Sequence, residues 1–539
     1  MRGMVVAPQP EAVEAGALTL KRGGNAIDAA IACALTQGAV DPQMAGIAGF
    51  GAMQIYMPKR GIHLGIDFHA RCPAAVRPDM WEDRILGQAR DGFGFILRDQ
   101  INELGYQSIG IPGSLKAYSE ALSEFGTMAL ADVLLPAIGH ARDGFMVRPH
   151  VHHIWTMKES AFGRVNYDDR LRFSAPGRRI YFHPDGTLKG LGERVVNTEL
   201  ATTLERIAKH GPDIFYRGEI AEEIAADMAS HGGLLALDDL RNYRTVRTEP
   251  LWGEYRGHRI AANQPPGGGV QLIELLHIAE NFDLASLGHN TPDYIRILAE
   301  AMKLVTIDKD LFVGDPAFVD VPLDRLTSKA YAAELAARIR RGEKADVKRL
   351  GQPDPAAAES KNTTQVTVVD EAGNCVTMTH TLGSPSGVIT EGLGFMYNGC
   401  MSVFDPRPGR AGSLAPGKSR FSAMAPSIVF KGDAPRIVIG APGGTFISLA
   451  IAQGIVNVID FGMTMFEAVA APRFTATGNV IDVSNRIPRF VTDAVAAQGY
   501  TIARSYESYA FAGLHGIEIS GGRWSGGADP QRDGMALEV

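Results

Sequence analysis

Three observations on the sequence predict a mixed α/β (α+β) fold. First, the β-branched runs 363–370 and 375–381 flank Glu371-Ala372-Gly373-Asn374, which is the pattern of a hairpin with a tight turn. Second, residues 52–57 alternate apolar and polar side chains, as a half-buried strand does. Third, most of 113–345 repeats apolar residues at helical spacing. Helices and short antiparallel strands therefore share one chain.

Composition narrows the class of protein. The chain has 539 residues, 45% of them hydrophobic and 21% charged, with a net charge of −7, as in an ordinary globular enzyme. No run of lysine or arginine favours a nucleic acid or an anionic membrane as partner. No segment predicts a signal peptide or a membrane helix, and the four cysteines are widely spaced, without a C-x-x-C pair. We therefore expect a cytoplasmic protein with reduced thiols.

The elements of the N-terminal part follow in order. A helix predicted over 11–22 ends at a glycine pair, and Asn25 is placed to cap a second, almost wholly apolar helix. A helix that is apolar all round is buried between other layers. The glycines of 46–51 precede a strand instead of joining a strand to a helix, so they do not predict a nucleotide cofactor. Residues 63–69 form a strand that pairs with 52–57.

A polar, proline- and alanine-rich segment, 342–362, reads as an exposed linker that is easily cut. It leads directly into Thr363 and the threonine-rich hairpin, where three threonines alternate on one face of the second strand. A threonine at a new chain terminus carries a nucleophile, its Oγ, and a base, its α-amine. The ordinary pKa of that amine is roughly 7.7–8.0, close to working pH. Thr363 is therefore the candidate nucleophile.

A glycine-rich turn, 440–445, joins a predicted hairpin to an apolar helix over 446–459. Gly443 and Gly444 offer free backbone N–H groups at the positive end of that helix, where an anion or an oxyanion is stabilised. Taken alone, the turn is more simply a tight backbone reversal. Beside a nucleophilic threonine it becomes a candidate oxyanion hole.

Nearly the whole chain resembles the γ-glutamyltransferase family of N-terminal-nucleophile hydrolases. The segments that carry the resemblance are GGNAIDAAIACAL, GIPGSLKAYSEAL, FYRGEIAEEIAADM with GGLLALDDLRNY, GEYRGHRI, GDPAFVDVP, NTTQVTVVDEAGNCVTMTHTLGS, APGG and GADPQRDG.

The resemblance implies a four-layer αββα sandwich that is made as one precursor. The precursor cuts itself between Asn362 and Thr363, which gives a large subunit, 1–362, and a small subunit, 363–539. By motif match, Gly443 and Gly444 form the oxyanion hole, and Thr381 holds Thr363. Pairing Asp370 with Cys375 across the turn independently sets Thr363 near Leu382 and Thr381.

The departures from the family pattern fall on its γ-glutamyl pocket. The positions where the family has an arginine, an asparagine, a glutamine, an aspartate and paired serines hold His69, Gly383, Cys400, Val403 and Ser422-Ala423. Losing the arginine and the aspartate removes charge-assisted hydrogen bonds worth roughly 1.5–3 kcal/mol each. The changed residues predict a more apolar and roomier pocket that does not suit a γ-glutamyl headgroup.

Four basic residues are candidates to bind an acyl group that bears one carboxylate: His69, Arg71, His380 and Arg420. Relatives with altered pockets include oxamate amidohydrolases and glutaryl-cephalosporin acylases, so a monocarboxylate amide is the expected substrate class. The 405–418 segment is shorter than the family's lid loop, which favours hydrolysis over transfer.

Three functions stay open. The first is a self-processing amidohydrolase for a small non-glutamyl amide, and the second is a true γ-glutamyl hydrolase or transferase. The third is an unprocessed binding protein without activity. The chemistry of the first two needs no cofactor and no metal. The expected partners are the small-molecule amide and the two subunits of one precursor, and a homodimer of such heterodimers is left open.

Overall fold

The computed structural model describes residues 2–160, 163–351, 362–507 and 511–539. Its strands are β1 (Gly3–Pro8), β2 (Phe50–Met57), β3 (Ile62–Phe68), β4 (Ile85–Gln88), β5 (Phe95–Leu97), β6 (Phe145–Met146), β7 (Arg194–Val195), β8 (Val246–Thr248), β9 (Leu251–Tyr255), β10 (His258–Ala262), β11 (Thr364–Asp370), β12 (Cys375–Thr381), β13 (Ser427–Lys431), β14 (Ala434–Gly440), β15 (Phe474–Thr475), β16 (Val480–Ser484), β17 (Thr501–Ser505), β18 (His515–Ser520), β19 (Arg523–Ala528) and β20 (Gly534–Glu538).

The helices are α1 (Pro10–Lys21), α2 (Ala26–Val40), α3 (Ser114–Phe125), α4 (Leu130–Asp143), α5 (Pro149–Thr156), α6 (Tyr167–Arg172), α7 (Ala175–Tyr181), α8 (Thr198–His210), α9 (Asp213–Tyr216), α10 (Glu219–Ser230), α11 (Leu237–Asn242), α12 (Gly269–Ala279), α13 (Leu284–Leu287), α14 (Pro292–Phe312), α15 (Leu323–Leu326), α16 (Lys329–Arg340), α17 (Ile447–Ile459), α18 (Met465–Ala470) and α19 (Arg489–Ala496). In the part of the chain that the structure describes, no helix combines the length and the apolar character that crossing a bilayer requires.

Two antiparallel sheets stack face to face and helices cover both outer faces. The first sheet has the strand order β20-β1-β11-β12-β2-β3-β8, and the second has the order β19-β18-β14-β13-β10-β9. Helices α1, α2 and α3 pack on the first sheet, and α12, α17 and α18 pack on the second. The predicted αββα sandwich is confirmed. The stacking of two half-apolar sheets between amphipathic helices is what buries both cores.

The nucleophile hairpin lies in the middle of the first sheet. Its two strands are β11 and β12, as predicted, and its turn is held by the Asp370 carboxylate, which accepts hydrogen bonds from the backbone N–H of Ala372 and Asn374. The same carboxylate accepts the N–H of Ala26 at the start of α2. Because α2 is capped there and runs beside β11, its far end reaches the strand end that carries Thr363.

The pairing register differs from the predicted one by one residue. Val369 lies opposite Cys375 and Thr364 lies opposite His380, so continuing the register puts Thr363 opposite Thr381. The reason is that the turn is shorter than predicted: Asp370 is the last residue of β11, and its N–H donates to the Asn374 carbonyl, which leaves Glu371-Ala372-Gly373 as the turn. The prediction that Thr363 lies near Leu382 and Thr381 is therefore correct for Thr381, which is its direct partner, and one residue off for Leu382.

Several strands of the structure are not predicted from the sequence. Strand β1, at the chain start, is fully buried between β20 and β11, and β9 and β10 interrupt a stretch that reads as helical. Short buried strands have no periodicity of their own that distinguishes them from helix or loop. Tertiary pairing with distant partners creates them.

The predicted exposed linker is only partly correct. Ala345 and Val347 are buried, the Val347 N–H donates to Asn479 Oδ1, and the Gln88 N–H donates to the Leu350 carbonyl. Residues 343–351 therefore form an ordered arm along β4. The remainder of the predicted linker, 352–361, lies outside the described residues.

Candidate active site

The site forms where β11 begins and β12 ends. The Thr363 hydroxyl donates to Thr381 Oγ1 at 3.1 Å, and the Gly383 N–H donates to the same Thr381 oxygen at 2.8 Å. Both threonine side chains are buried. The alternation of a strand puts Thr377, Thr379 and Thr381 on one face, toward the second sheet. The Thr381 oxygen, fixed by Gly383, thereby fixes the Thr363 oxygen.

The backbone of Thr363 is strained. Its φ is 104°, a left-handed value that a β-branched residue rarely adopts. Such a conformation costs on the order of 1–3 kcal/mol and persists only where the surroundings impose it. The strained rotation is about the N–Cα bond of Thr363, directly after the Asn362–Thr363 peptide bond. Asn362 is itself buried, and its side-chain oxygen has no hydrogen-bond partner among the described residues. Breaking this peptide bond releases the strain.

Arg532 holds the carbonyl of the candidate nucleophile. Its Nη1 donates to the Thr363 carbonyl oxygen at 3.0 Å, and the side chain is buried. Burial lowers the pKa of Arg532 to about 10, so the guanidinium is still charged at neutral pH. Burial also raises the pKa of nearby Asp41 to about 7, although the Arg532 charge opposes that rise. A charged donor on the carbonyl fixes the backbone that carries the nucleophile.

The glycine turn has the geometry of an anion site. Gly443 and Gly444 have φ values of 146° and 58°, and a Cβ on Gly443 would lie 2.3 Å from the Cβ of Ala512. Within the described ranges neither glycine N–H donates a hydrogen bond. The turn is connected to the nucleophile through residues 512 and 513. Gly443 packs against Ala512, and the next residue, Gly513, packs against Arg532, which holds the Thr363 carbonyl. Two free N–H groups ahead of α17 suit an oxyanion.

His380 does not supply a positive charge to the substrate, so this prediction is wrong. Its side chain points to the opposite face of β12, where Nδ1 receives the Tyr118 hydroxyl at 2.7 Å and Nε2 contacts Gln37 Oε1 at 2.8 Å. Burial lowers the pKa of His380 to about 3, so the imidazole is neutral. The Gln37 amide also donates to Thr364 Oγ1 at 2.9 Å. His380 is thus a support of the hairpin from the helical side.

His69 and Ser422, two of the predicted pocket residues, are in contact. His69 Nε2 lies 2.5 Å from Ser422 Oγ, and His69 Nδ1 lies 2.7 Å from Asp67 Oδ1. The Ser422 N–H donates to the Pro266 carbonyl, and the neighbouring Ala423 carbonyl closely approaches Gly268. Because Asp67 fixes one ring nitrogen, the other is aimed at the serine. His69 therefore bridges Asp67 and Ser422.

Three other predicted pocket residues take structural positions. Gly383 has φ 65°, and a Cβ there would lie 3.3 Å from the Phe50 ring, so Phe50 fills space that the sequence predicts to be open. Cys400 is buried, and burial raises the pKa of its thiol to about 11. Arg71 donates to the Arg244 carbonyl and packs on the Tyr243 ring, so its predicted substrate contact gains no support. The pocket is more filled than the sequence predicts.

Arg420 is the basic residue that fits a substrate anion. It is 4% exposed, and its Nε and Nη1 atoms have no hydrogen-bond partner among the described residues. Its guanidinium carbon lies 4.8 Å from the Phe50 ring centre. Burial lowers the pKa of Arg420, with the Cys400 thiol opposing that fall. A buried cation with unused donors is costly unless a partner binds.

Arg420 and Val403 line one cavity of about 430 Å³. Its described lining holds six basic side chains and three carboxylates, which gives a positive potential. Part of the wall is the 343–351 arm, in which Arg349 pairs with Asp310 at 2.7 Å. In the described part of the chain, no group of three His, Cys, Asp or Glu side chains is arranged to hold a metal ion.

Comparison with known proteins decides the family. The family model described as gamma-glutamyltranspeptidase matches residues 12–539. The chain belongs to the gamma-glutamyltranspeptidase family. It is accordingly an N-terminal nucleophile amidohydrolase, as the resemblance of its motifs predicts.

Members with different names are similar to this chain. The Acylase ACY 1 proenzyme of Pseudomonas sp. strain SE83 is 38% identical over 100% of this chain and 94% of the relative. The Glutathione hydrolase proenzyme of Escherichia coli strain K12 is 35% identical over 88% of this chain and 80% of the relative. The crystal structure of cephalosporin acylase from Bacillus halodurans is 28% identical, with a TM-score of 0.85 over 99% of this chain and 95% of that one.

The gamma-glutamyltranspeptidase fold brings in residues that the sequence analysis does not single out. They are Gln37, Asp67, Tyr118, Gln365 and Arg532. Gln37 is a polar residue in an otherwise apolar helix, and Arg532 lies in the GADPQRDG segment, so the sequence marks both as unusual positions. Both are far from Thr363 in sequence, so their positions beside the site could not be predicted.

Proposed function

We propose that this chain is a self-processing threonine amidohydrolase for a small amide whose acyl group bears a carboxylate and no α-ammonium. The precursor is cut between Asn362 and Thr363 into a large subunit, 1–362, and a small subunit, 363–539. Its relatives are proenzymes, which supports the processing. A cytoplasmic location is part of the same proposal, as is the joint folding of the two subunits.

The self-cleavage starts from the strained peptide. Thr363 Oγ attacks the Asn362 carbonyl carbon, its proton is transferred to the leaving nitrogen, and the C–N bond breaks, which leaves an ester on Oγ. Water then hydrolyses the ester. The products are the Asn362 carboxylate and a Thr363 with a free α-amine. The φ of 104° at Thr363 and the Arg532 bond to its carbonyl support this order of events.

Substrate hydrolysis repeats the chemistry on an external amide. The Thr363 amine takes the proton of Oγ, Oγ attacks the substrate carbonyl, and the amine returns the proton to the leaving nitrogen. The N–H groups of Gly443 and Gly444 stabilise the oxyanion, and Thr381 fixes the position of Oγ. Attack by water on the acyl-threonine ester releases the acid. No step needs a metal or a cofactor.

One observation carries the choice of acyl group: the buried Arg420 guanidinium with unused donors. A substrate carboxylate would satisfy Nε and Nη1 and remove the cost of the unpaired buried cation. Val403 lines the same cavity and offers no charge to a substrate ammonium. The acylase names among the relatives support the same class, although those names describe the relatives.

The second candidate is a true γ-glutamyl hydrolase or transferase. The similarity to the Escherichia coli glutathione hydrolase proenzyme favours it. In that case Asp67, which is 18% exposed beside His69, must bind the substrate ammonium in place of the missing acid at 403. An unprocessed binding protein is the third candidate, and the strained peptide at Thr363 speaks against it.

Three p-nitroanilides separate these candidates. Glutaryl p-nitroanilide has the acyl carboxylate, pentanoyl p-nitroanilide lacks it, and γ-glutamyl p-nitroanilide adds the α-ammonium. We expect the highest kcat/KM for the glutaryl compound, by about tenfold or more over each of the others. Preference for the γ-glutamyl compound would overturn the proposed acyl class. Absence of turnover with all three by a fully cleaved enzyme would also overturn it.

A further inference from the structure

Gln365 lies at the centre of a buried hydrogen-bond network behind the nucleophile. It follows Thr363 by two residues on β11 and is fully buried between the two sheets. Its Nε2 donates to Thr377 Oγ1 at 2.9 Å, and its Oε1 accepts the Thr379 hydroxyl at 2.6 Å. Both hydroxyl oxygens belong to β12, so the amide ties β11, which begins directly after Thr363, to β12, which ends at Thr381.

The same amide packs against the strand that leads to the glycine turn. A Cβ on Gly440, the last residue of β14, would lie 2.3 Å from the Cδ, Nε2 and Oε1 atoms of Gln365. Only glycine leaves room for this contact. The turn with Gly443 and Gly444 begins directly after Gly440. The Gln365 side chain therefore acts as a spacer between the nucleophile strand and the oxyanion turn.

Two neighbouring threonine hydroxyls donate hydrogen bonds from the first sheet to the second. Thr377 Oγ1 donates to the Ile439 carbonyl on β14 at 3.2 Å, and Thr367 Oγ1 donates to the His515 carbonyl on β18 at 3.3 Å. Gln365 Nε2 lies 3.2 Å from Thr367 Oγ1 as well. The Gln365 side chain thus orients both of these hydroxyls, each of which joins the first sheet to the second.

We propose that Gln365 is a positioning residue, which sets the distance between Thr363 Oγ and the N–H groups of Gly443 and Gly444. The inference rests on the proposed roles of Thr363 and the glycine turn. A shift of about 1 Å between a nucleophile and its oxyanion donors costs on the order of a hundredfold in rate. Because Gln365 is not among the residues that line the cavity with Arg420 and Val403, its loss should leave substrate binding unchanged.

The test uses the full-length chain with Gln365→Met and Gln365→Glu. We expect Gln365→Met to slow self-cleavage and to lower kcat for glutaryl p-nitroanilide by about 10- to 100-fold, with KM changed by less than about twofold. Gln365→Glu has the shape of the amide. Its rate relative to the parent at the same pH should rise as the pH falls, because the protonated acid donates to Thr377 as the amide does.

Gln54→Met is the matched control. Gln54 is also a fully buried glutamine between the sheets, and its Nε2 donates to the carbonyls of Ala261 and Pro426 at 3.1 and 2.8 Å. Those bonds reach β10 and the residue before β13, away from the strand that enters the glycine turn. It should lose as much thermal stability as Gln365→Met and keep kcat within about threefold. Equal losses of kcat in the two variants would overturn the positioning role.

A double substitution tests the contact with Gly440. Gly440→Ala alone should lower kcat by about tenfold or more, because its methyl group displaces the Gln365 amide. In a Gln365→Ala background the same change should cost less than about twofold, since the clash is gone. An equal fall in kcat in both backgrounds would contradict a contact between Gln365 and Gly440. A parent chain that stays uncut would refute the nucleophile assignment and this inference with it, whereas normally cleaved Gln365 variants with an unchanged kcat would refute this inference alone.

Discussion

The structure makes a specific prediction for Arg420→Met. Methionine keeps an unbranched apolar stem but removes the guanidinium, which packs on the Phe50 ring and whose Nε and Nη1 have no partner among the described residues. In the parent, a substrate carboxylate accepts hydrogen bonds from those two donors. The change should therefore impair substrates with an acyl carboxylate and spare those without one.

The size of the effect follows from the two unused donors. A hydrogen bond to a charged group contributes roughly 1.5–3 kcal/mol, so two of them contribute about 3 kcal/mol at the lower end. At about 1.4 kcal/mol per factor of ten, kcat/KM for glutaryl p-nitroanilide should fall by at least about a hundredfold. The value for pentanoyl p-nitroanilide should stay within about threefold. The kcat/KM of Arg420→Lys for glutaryl p-nitroanilide should lie between those of the parent and Arg420→Met, because the lysine ammonium lacks the planar pair of donors.

Thermal unfolding supplies an independent check on the same variant. Removing an unpaired buried charge removes its desolvation penalty, so Arg420→Met should be at least as stable as the parent. Arg473→Met is the contrasting control, since Arg473 is buried and donates to Asp529 Oδ2 at 2.8 Å. Its loss removes the charged partner of the buried Asp529 carboxylate and should cost about 3–5 kcal/mol. A proportional loss of activity on the glutaryl and pentanoyl substrates would refute the role of Arg420.

Three further predictions address other parts of the site. Val403→Asp combined with His69→Arg should raise turnover of γ-glutamyl p-nitroanilide about tenfold, because it restores an acid and a base for the headgroup; an unchanged rate contradicts the pocket assignment. Arg532→Met should slow self-cleavage at Thr363 about 10- to 100-fold in a time course on denaturing gels, with partial recovery in Arg532→Lys, since a charged donor to the Thr363 carbonyl is lost. His380 has its pKa lowered to about 3 by burial, so the unfolded chain takes up a proton below about pH 6.5 and the folded chain does not. Between pH 7 and pH 5 this should cost about 2 kcal/mol of unfolding free energy, a loss absent from His380→Asn; equal acid sensitivity of both proteins argues against a neutral buried imidazole.

The nucleophile hairpin and the glycine turn could be predicted from the sequence because their signals are local. β-branched runs around Glu371-Ala372-Gly373-Asn374 permit one kind of structure, and a glycine pair ahead of an apolar helix permits few others. The register was one residue off because Asp370 still pairs with Asn374 across the hairpin, which leaves only Glu371-Ala372-Gly373 as the turn. Local patterns identify the turn, but not which of its residues still pair.

The environment of the site could not be predicted because it depends on contacts between distant segments. His380 reads as a pocket cation, yet strand alternation turns it toward α2, where Gln37 and Tyr118 satisfy both ring nitrogens. Arg532 reaches Thr363 across 169 residues of sequence. Phe50 fills the space beside Gly383. Each case turns on burial, which raises the cost of an unpaired charge and decides which basic residue is left for a substrate.

The most direct test of the central claim is the intact mass of freshly purified protein, followed by N-terminal sequencing of the smaller fragment. The account predicts two chains, with the smaller one beginning at Thr363, and a single uncut chain for Thr363→Ala. Thr363→Ser, which keeps the hydroxyl, should still be cut. A parent chain that stays at 57.8 kDa, or a fragment that begins at another residue, would contradict the assignment of Thr363 as the nucleophile.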